Sequence, residues 1–292
     1  MGSVVRRLVM WIVIVASIYA IYEVFSDEGE YEAPRRPLPP IDSKAWSNAV
    51  PAAPPTGQTP TKPGFDMLVE GDEGKPEDSI GTAFLVAPGT WITAAHVLES
   101  CAKSYVRVRD EWRPITGKSL HPVADVAIAT TGAPQDPPRI ELTERLPVMG
   151  QEGFHFGYPH GQPTSVYTRF VGMARIRQGK PGKPVEQGWV WAEQERSPPG
   201  SGALGGISGG PQVDRTGAVQ GVTILYAERS ARLTTTPMSR VKDVLPKDVA
   251  TVTRGGTSID PKDYGRHGTQ VREAAGTVSL VFCSVSGRSR PR

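Results

Sequence analysis

The sequence contains little cysteine: of its 292 residues, only Cys101 and Cys283 carry a thiol. Two thiols are too few for a cysteine-rich zinc site or for a dense disulfide framework. A single bridge between them would close a very long loop and stabilise the fold by at most about 5 kcal/mol through chain entropy. The sequence leaves this pairing open, because it says nothing about the distance between the two residues.

Hydrophobic and aromatic side chains are also scarce. They make up 38% and 7% of the chain, too little for a protein that crosses a membrane many times. The net charge is only +3, and residues 254–292 alone carry seven basic and three acidic side chains. A basic tail of this kind is usually solvated, although such tails also contact anionic lipid or nucleic acid. No basic patch is interleaved with aromatic residues, so we expect no nucleic-acid partner.

One apolar run is present near the N-terminus, over residues 8–25. As a helix it would cover about 27 Å, close to the thickness of a bilayer core. Arg6 and Arg7 precede the run and acidic residues follow it, which favours a cytoplasmic N-terminus. We predict a transmembrane signal anchor over 1–26, with the protein in the inner membrane and the remaining chain on the periplasmic or extracellular side. A cleaved signal peptide is the alternative, and a buried core helix is a third.

Residues 27–64 change character abruptly. Nine prolines lie in this stretch among Ala, Ser, Thr and charged residues. Such a segment buries too little apolar surface to order itself, and proline keeps it extended. We therefore predict a semi-rigid linker that holds the following domain away from the membrane.

Short strand-like runs separated by turn residues dominate from Phe65 to Val249. They are rich in β-branched and aromatic residues and end at Gly, Pro or Asp, which predicts an all-β domain over 65–249. Only 97–103 and 238–245 have helical character. Residues 250–292 are predicted as a basic C-terminal extension in which 276–285 forms one strand, either at the edge of the domain or isolated from it.

Three motifs carry residues of catalytic type. Ser208 lies in Gly-Gly-Ile-Ser-Gly-Gly-Pro, His96 ends the apolar run Trp-Ile-Thr-Ala-Ala-His, and Asp125 opens Asp-Val-Ala-Ile. A serine hydroxyl needs an adjacent base, usually a histidine held by a carboxylate, together with backbone donors for the developing oxyanion. Alone, each motif has a simpler interpretation: a glycine-rich turn, a packed core histidine and a capping aspartate.

Together the motifs resemble the trypsin-like, or chymotrypsin-fold, serine peptidases. That family has TAAH around its base, D-x-A-apolar around its carboxylate and G-x-SGGP around its nucleophile, in the order His, Asp, Ser. They stand here at 93–96, 125–128 and 206–211, with intervals of 29 and 83 residues between the three side chains. These short intervals, with GTAFLV at 81–86 and GYP at 157–159, are similar to the bacterial HtrA/Deg-type branch.

The resemblance implies two six-stranded antiparallel β-barrels and a serine endopeptidase. His96 would be the general base, Asp125 would hold its tautomer, and Ser208 would attack the scissile carbonyl of a polypeptide substrate. The backbone N–H groups of Gly206 and Ser208 would form the oxyanion hole. No cofactor is implied, and the remaining histidines show no spacing that predicts a metal site. The oligomeric state is not predicted.

The chain departs from the family pattern at three places. Ile207 stands where the family usually has Asp or Asn, so activation through a new N-terminus that pairs with that acid is not expected. The 44 residues after Asp248 are too few for a PDZ domain. The family's pocket wall is replaced by Leu233, Thr234 and Thr235, which we predict to contact substrate and to favour a small or medium apolar P1 residue. The alternative function is an inactive protease-like domain that serves as a membrane-anchored binding or scaffold module.

Overall fold

The protein forms an all-β fold, as predicted. The computed structural model describes residues 57–69, 77–132, 140–178, 185–247, 249, 257–274 and 276–287. Within these ranges the strands are β1 Phe65–Val69, β2 Ser79–Ala87, β3 Thr90–Thr93, β4 Lys103–Val108, β5 Glu111–Leu120, β6 Ala127–Thr131, β7 Glu141–Leu142, β8 Glu152–Gly157, β9 Thr164–Gln178, β10 Glu186–Ser197, β11 Pro211–Val213, β12 Ala218–Ala227, β13 Arg232–Pro237 and β14 Val278–Ser284.

Helical segments are short and few in the described ranges. They are α1 Ala95–Glu99, α2 Met238–Val241 and α3 Tyr264–Thr269, with a π-helical turn at Gln270–Ala274 and 3-10 turns at Pro159–Gly161 and Glu228–Ser230. The helices α1 and α2 overlap the two stretches with predicted helical character. The strands β2 and β3 are separated by a turn at Pro88-Gly89, where Gly89 has φ +71°.

The first barrel is closed and has six strands, in the order β14-β2-β3-β6-β5-β4. All of its pairings are antiparallel. Alternate residues point inward along each strand, and Leu85, Trp91, Val106 and Val281 are buried in its core.

The strand β14 completes this barrel. It pairs with β2 on one side and with β4 on the other, so it is neither an edge strand nor an isolated appendage. The segment 250–292, predicted as an extension beyond the domain, thus contributes a central strand of the domain. A disulfide joins Cys101 to Cys283, with the two Cα atoms 5.2 Å apart, and attaches β14 to the chain just after α1.

The second barrel contains β8, β9, β10, β13, β12 and β11, and pairing of β11 with β8 closes it. The six pairings are antiparallel, which confirms the expectation of two six-stranded antiparallel barrels. Two more strands join from outside in parallel pairings: β1 beside β9 and β7 beside β12. Two hydrophobic clusters contain residues of both barrels, so the barrels pack directly on each other.

The chain segment that precedes the first barrel is hydrogen-bonded to the second barrel. At the end of the predicted linker, the N–H groups of Gly57 and Gly64 donate to the carbonyls of Met149 and Met173 at 2.9 and 2.8 Å. The predicted anchor at 1–26 and the linker up to residue 56 lie outside the described residues. In the part that is described, no helix is long and apolar enough to span a membrane.

Residues 257–274, which precede β14, pack on the second barrel. The Tyr264 ring of α3 stacks near Phe154 and Tyr167, with centroids 6.1 and 6.0 Å away. Buried Arg272 donates to the carbonyl of Thr164 at 2.9 Å. The basic residues of this segment are therefore not all solvated.

Candidate active site

His96 and Asp125 form a doubly hydrogen-bonded pair. His96 lies in the first turn of α1, directly after β3, and Asp125 lies in the loop between β5 and β6. The ring Nδ1 of His96 is 2.6 Å from Asp125 Oδ2, and the backbone N–H of His96 donates to Oδ1 at 2.9 Å. The carboxylate is 11% exposed and the imidazole 47%, so the ring has one held edge and one accessible edge.

The pair shifts both pKa values in the direction expected of an ion pair. Burial acts to raise the pKa of Asp125, but the charge and hydrogen bonds of His96 outweigh it and hold that pKa below its usual value. Burial acts to lower the pKa of His96, but the charges of Asp125, Glu99 and Glu186 outweigh it and raise that pKa. The imidazole is thus a stronger base than a free histidine.

His121 organises the loop that presents Asp125. Its Nδ1 accepts hydrogen bonds from the N–H groups of Val123 at 3.0 Å and Ala124 at 2.8 Å. Its Nε2 lies 3.3 Å from Asp243 Oδ2, which assigns the proton to Nε2. Sequence reasoning found no role for His121, although its position four residues before Asp125 is a signal that could have suggested one.

The loop that carries Ser208 depends on two glycines with positive φ. Gly206 has φ +102° and Gly209 has φ +89°, values that favour glycine. A Cβ at Gly209 would collide with Thr82 and Thr93 and lie 3.0 Å from the backbone nitrogen of Ala94. The serine loop therefore packs against the segment that leads directly into His96.

Thr82 links this loop to the first barrel. Its backbone N–H donates to the carbonyl of Ser208 at 2.8 Å, and its hydroxyl donates to the carbonyl of Gly206 at 2.7 Å. The same hydroxyl accepts the N–H of Tyr158 at 3.0 Å, and its own carbonyl accepts the hydroxyl of Thr93 at 2.7 Å. Thr82 lies in the GTAFLV motif, so that motif was the signal that marked it.

The hydroxyl of Ser208 points to the second barrel. It donates to the carbonyl of Ile224 at 3.3 Å, and among the described residues it makes no hydrogen bond with His96. Within the same ranges, the N–H groups of Gly206 and Ser208 donate to no protein acceptor. Two backbone donors beside a serine are thus available to a bound oxygen atom.

Residues 81–222, which include these loops, match the family model of the trypsin-like peptidase domain. This part of the chain belongs to that family. The chain is similar in structure to the Rv3671c protease of M. tuberculosis in its active form, with 20% identity over 70% of this chain and 96% of that chain and a TM-score of 0.49. It is also similar to the MamO protease domain of Magnetospirillum magneticum, with 17% identity over 58% and 95% of the two chains and a TM-score of 0.42. No curated protein matches the sequence.

In this peptidase domain, Ile207 anchors the serine loop by apolar packing. It is 1% exposed and belongs to a cluster in the second barrel. The other members of that cluster are buried side chains of the barrel and of the loop before Ser208: Met149, Val166, Phe170, Trp189, Trp191, Leu204 and Leu233. A carboxylate at position 207 would have to be buried without a partner in this cluster, so the apolar residue fits its surroundings.

The loop before Ser208 is attached to the peptidase domain by polar contacts as well. Arg196 forms two hydrogen bonds with Glu193, of 2.6 and 2.8 Å, and donates to the carbonyl of Gly202 at 3.1 Å and to the hydroxyl of Tyr226 at 2.9 Å. His160 is exposed, and its Nε2 lies 3.0 Å from the carbonyl of Ala203. The loop is therefore held at several points.

The structure does not bring the predicted substrate-binding side chains to the surface. Leu233, Thr234 and Thr235 lie in β13 and are all 0% exposed. Leu233 packs in the same cluster as Ile207, and the Thr235 hydroxyl accepts the indole N–H of Trp191 at 3.1 Å. Leu233 and Thr235 lie on one face of β13 and Thr234 lies on the other, and all three side chains are covered by the protein. Their contact with substrate stays a prediction.

No group of three or more His, Cys, Asp or Glu side chains in the described ranges is arranged to hold a metal ion. His155 lies in the protein core and not at a metal site. It is fully buried with Nδ1 2.9 Å from the hydroxyl of Thr223, and burial lowers its pKa to about 3. The ring is therefore neutral and serves as a core side chain next to Trp191.

Proposed function

We propose that this protein is a serine endopeptidase with His96, Asp125 and Ser208 as its catalytic triad. The observation that carries the proposal is the His96–Asp125 pair, with Nδ1 and Oδ2 2.6 Å apart, beside a serine loop packed on the backbone that leads into His96. Membership of residues 81–222 in the trypsin-like peptidase family supports it.

The pair prepares His96 to act as a base. Because the Nδ1–H group of the neutral ring donates a hydrogen bond to Asp125, Nε2 carries no proton and is able to accept one. The proposed reaction requires the Ser208 hydroxyl to leave Ile224 and to come within hydrogen-bond distance of Nε2. Ser208 Oγ then bonds to the scissile carbonyl carbon, its proton moves to Nε2, and the carbonyl π electrons move to oxygen as an oxyanion.

The N–H groups of Gly206 and Ser208 would stabilise this oxyanion, since neither donates elsewhere among the described residues. Collapse of the intermediate breaks the C–N bond, and the leaving amine takes the proton from Nε2. The acyl group stays on Ser208 until water, deprotonated by His96, attacks the ester carbon. Release of the acid returns the proton to Ser208 Oγ.

The P1 preference follows from the charges near the serine loop. The carboxylate of Glu193 is neutralised by Arg196, so it does not offer a free charge to a basic P1 residue. A small or medium apolar P1 residue is therefore proposed. A library of peptides that vary only at P1 would test this, and a preference for Arg or Lys would contradict it.

Attachment to the inner membrane by the apolar run 8–25 is a further part of the proposal, with the peptidase domain on the periplasmic or extracellular side. The expected result is that the full chain stays with membranes after alkaline extraction and that added protease digests it in intact spheroplasts. Release by alkali, or protection in spheroplasts, would contradict the tether or its orientation.

Activity is tested with the full chain purified in detergent. Wild type should hydrolyse an unfolded protein and react with a fluorophosphonate probe, whereas Ser208→Ala should do neither. Ser119→Ala, at an exposed position of β5, is the matched control and should behave as wild type. A folded wild-type protein that gives neither signal would contradict the proposal.

The hydrogen bond from Ser208 to Ile224 favours a second candidate, a protease-like module that binds without turnover. Replacement of Ser208 by Ala in cells distinguishes the two. A binding module would retain its cellular role after this change, and an enzyme would lose it.

A further inference from the structure

Glu186 is a buried carboxylate that contacts the catalytic segment from the opposite barrel. It begins β10 in the second barrel and is 4% exposed. Its Oε2 accepts the backbone N–H of Asp125 at 2.9 Å, and its Oε1 accepts the hydroxyl of Thr236 at 2.5 Å. Asp125 belongs to the first barrel, so this side chain bridges the two barrels at the candidate site.

A buried carboxylate usually has a cationic partner, because an isolated charge is expensive to desolvate. Within the described ranges, the hydrogen-bond partners of Glu186 are a backbone amide and a hydroxyl, neither of which carries a charge. An apolar side chain of similar size would avoid this desolvation cost but would leave the Asp125 N–H without this acceptor. The contact is therefore better explained by its effect on the placement of Asp125 than by a contribution to the stability of the fold.

We propose that Glu186 is a positioning residue: by holding the main chain of Asp125 from the second barrel, it sets the orientation of the Asp125 carboxylate and, through it, of the His96 ring. This inference rests on the proposed function, since it assigns a role within the same triad. Each barrel then controls one side of Asp125. The carboxylate binds His96 of the first barrel, and the backbone N–H is bound by the second.

Two charged groups act on the pKa of Glu186: the Asp125 carboxylate and the Arg240 guanidinium. Burial is the largest influence and raises the pKa of Glu186, the hydrogen bonds from Thr236 and from the Asp125 N–H lower it, the Asp125 carboxylate raises it, and Arg240 of α2 lowers it. Together they give a pKa of about 7. In return, ionised Glu186 raises the pKa of His96. Glu186 thus gains its charge near neutral pH, and that charge favours the protonated form of the imidazole.

The test compares Glu186→Ala and Glu186→Gln in the full chain, with exposed Glu111→Gln as the matched control. Glu186→Ala removes the acceptor of the Asp125 N–H, and we expect kcat to fall about ten-fold or more while KM changes less than two-fold. Glu186→Gln keeps an acceptor without the charge. It should recover most of kcat and move the acidic limb of the kcat/KM profile to lower pH, because the pKa of His96 falls.

A residue that only supported the fold would not move the pH profile, so an acidic limb that coincides with that of wild type in Glu186→Gln overturns the inference. A kcat within two-fold of wild type in folded Glu186→Ala overturns it as well. If Glu186→Ala does not fold, the Gln variant alone decides.

The titration of His96 followed by NMR gives a readout that needs no turnover. We expect a lower His96 pKa in Glu186→Gln than in wild type, and an unchanged value would contradict the inference. Failure of the proposed function is distinguishable from this outcome, since it would show as a wild-type chain without turnover or probe labelling, whatever the His96 titration gives.

Discussion

The backbone N–H of Thr82 donates to the carbonyl oxygen of Ser208 at 2.8 Å. This bond crosses from β2 of the first barrel to the serine loop of the second. It places Ser208 relative to the barrel that carries His96 and Asp125. Neither residue could supply this arrangement within its own barrel, so the candidate site depends on how well the two barrels are held together.

Thr82→Val should damage the site more than the fold. The buried hydroxyl donates to the Gly206 carbonyl and accepts the Tyr158 N–H, and its loss removes both hydrogen bonds at a cost of about 0.5–1.5 kcal/mol each. Because Gly206 is a proposed oxyanion donor, we expect the rate of fluorophosphonate labelling to fall at least ten-fold. Thr82→Ser keeps the hydroxyl and should label nearly as fast as wild type. Equal labelling by the Val variant would contradict the role assigned to this hydroxyl.

Ile207→Ala should destabilise the protein by about 2–5 kcal/mol, since it opens a cavity in a closely packed cluster. Ile207→Val, the control of the same shape class, should cost only about 0.5–1.5 kcal/mol. Urea unfolding of both variants measures these values. If Ile207→Ala unfolds at the same urea concentration as wild type, the loop is not anchored by packing at this position.

His155 should make the protein sensitive to acid. Its pKa lies at about 3 in the folded state, lower than the value of 6.5 for the exposed side chain. A depressed pKa adds stability that is fully present above pH 6.5 and is lost as the pH falls toward 3. The melting temperature of His155→Phe should therefore decline less than that of wild type between pH 7 and pH 4. Parallel declines would show that other groups control acid unfolding.

The disulfide should contribute strongly to stability, because Cys101 and Cys283 are 182 residues apart in sequence. Replacing both by Ser should lower the free energy of unfolding by about 2–5 kcal/mol. Reductant should shift wild type toward the variant in urea unfolding and leave the variant itself unchanged. A variant as stable as oxidised wild type would contradict this expectation.

The sequence predicted those features that depend on local patterns. Runs of β-branched and aromatic residues bounded by Gly, Pro or Asp identified most of the longer strands, and three short motifs led to His96, Asp125 and Ser208. The strand β13 was interpreted as a pocket wall because the family comparison placed it there. Its threonines are buried through pairing with β10 and β12, which no local pattern reveals.

Other features depend on contacts between distant segments and could not be predicted. Glu186 lies 61 residues from Asp125, and the sequence around it looks like the beginning of any other strand. No local pattern therefore marks its contact with Asp125. The role of β14 is similar, since its apolar pattern predicted a strand but its two partners lie near the beginning of the domain. The pairing of Cys101 with Cys283 follows from that same register.

Closure of the first barrel by β14 has a consequence for the order of synthesis. Val278 follows Asp125 by 153 residues, and the whole second barrel is encoded between them. A nascent chain therefore completes the second barrel while β2 and β4 still lack their shared partner. His96 and Asp125 can be held in a closed barrel only after residues 278–284 have been made, so a partly synthesised chain cannot carry the assembled site.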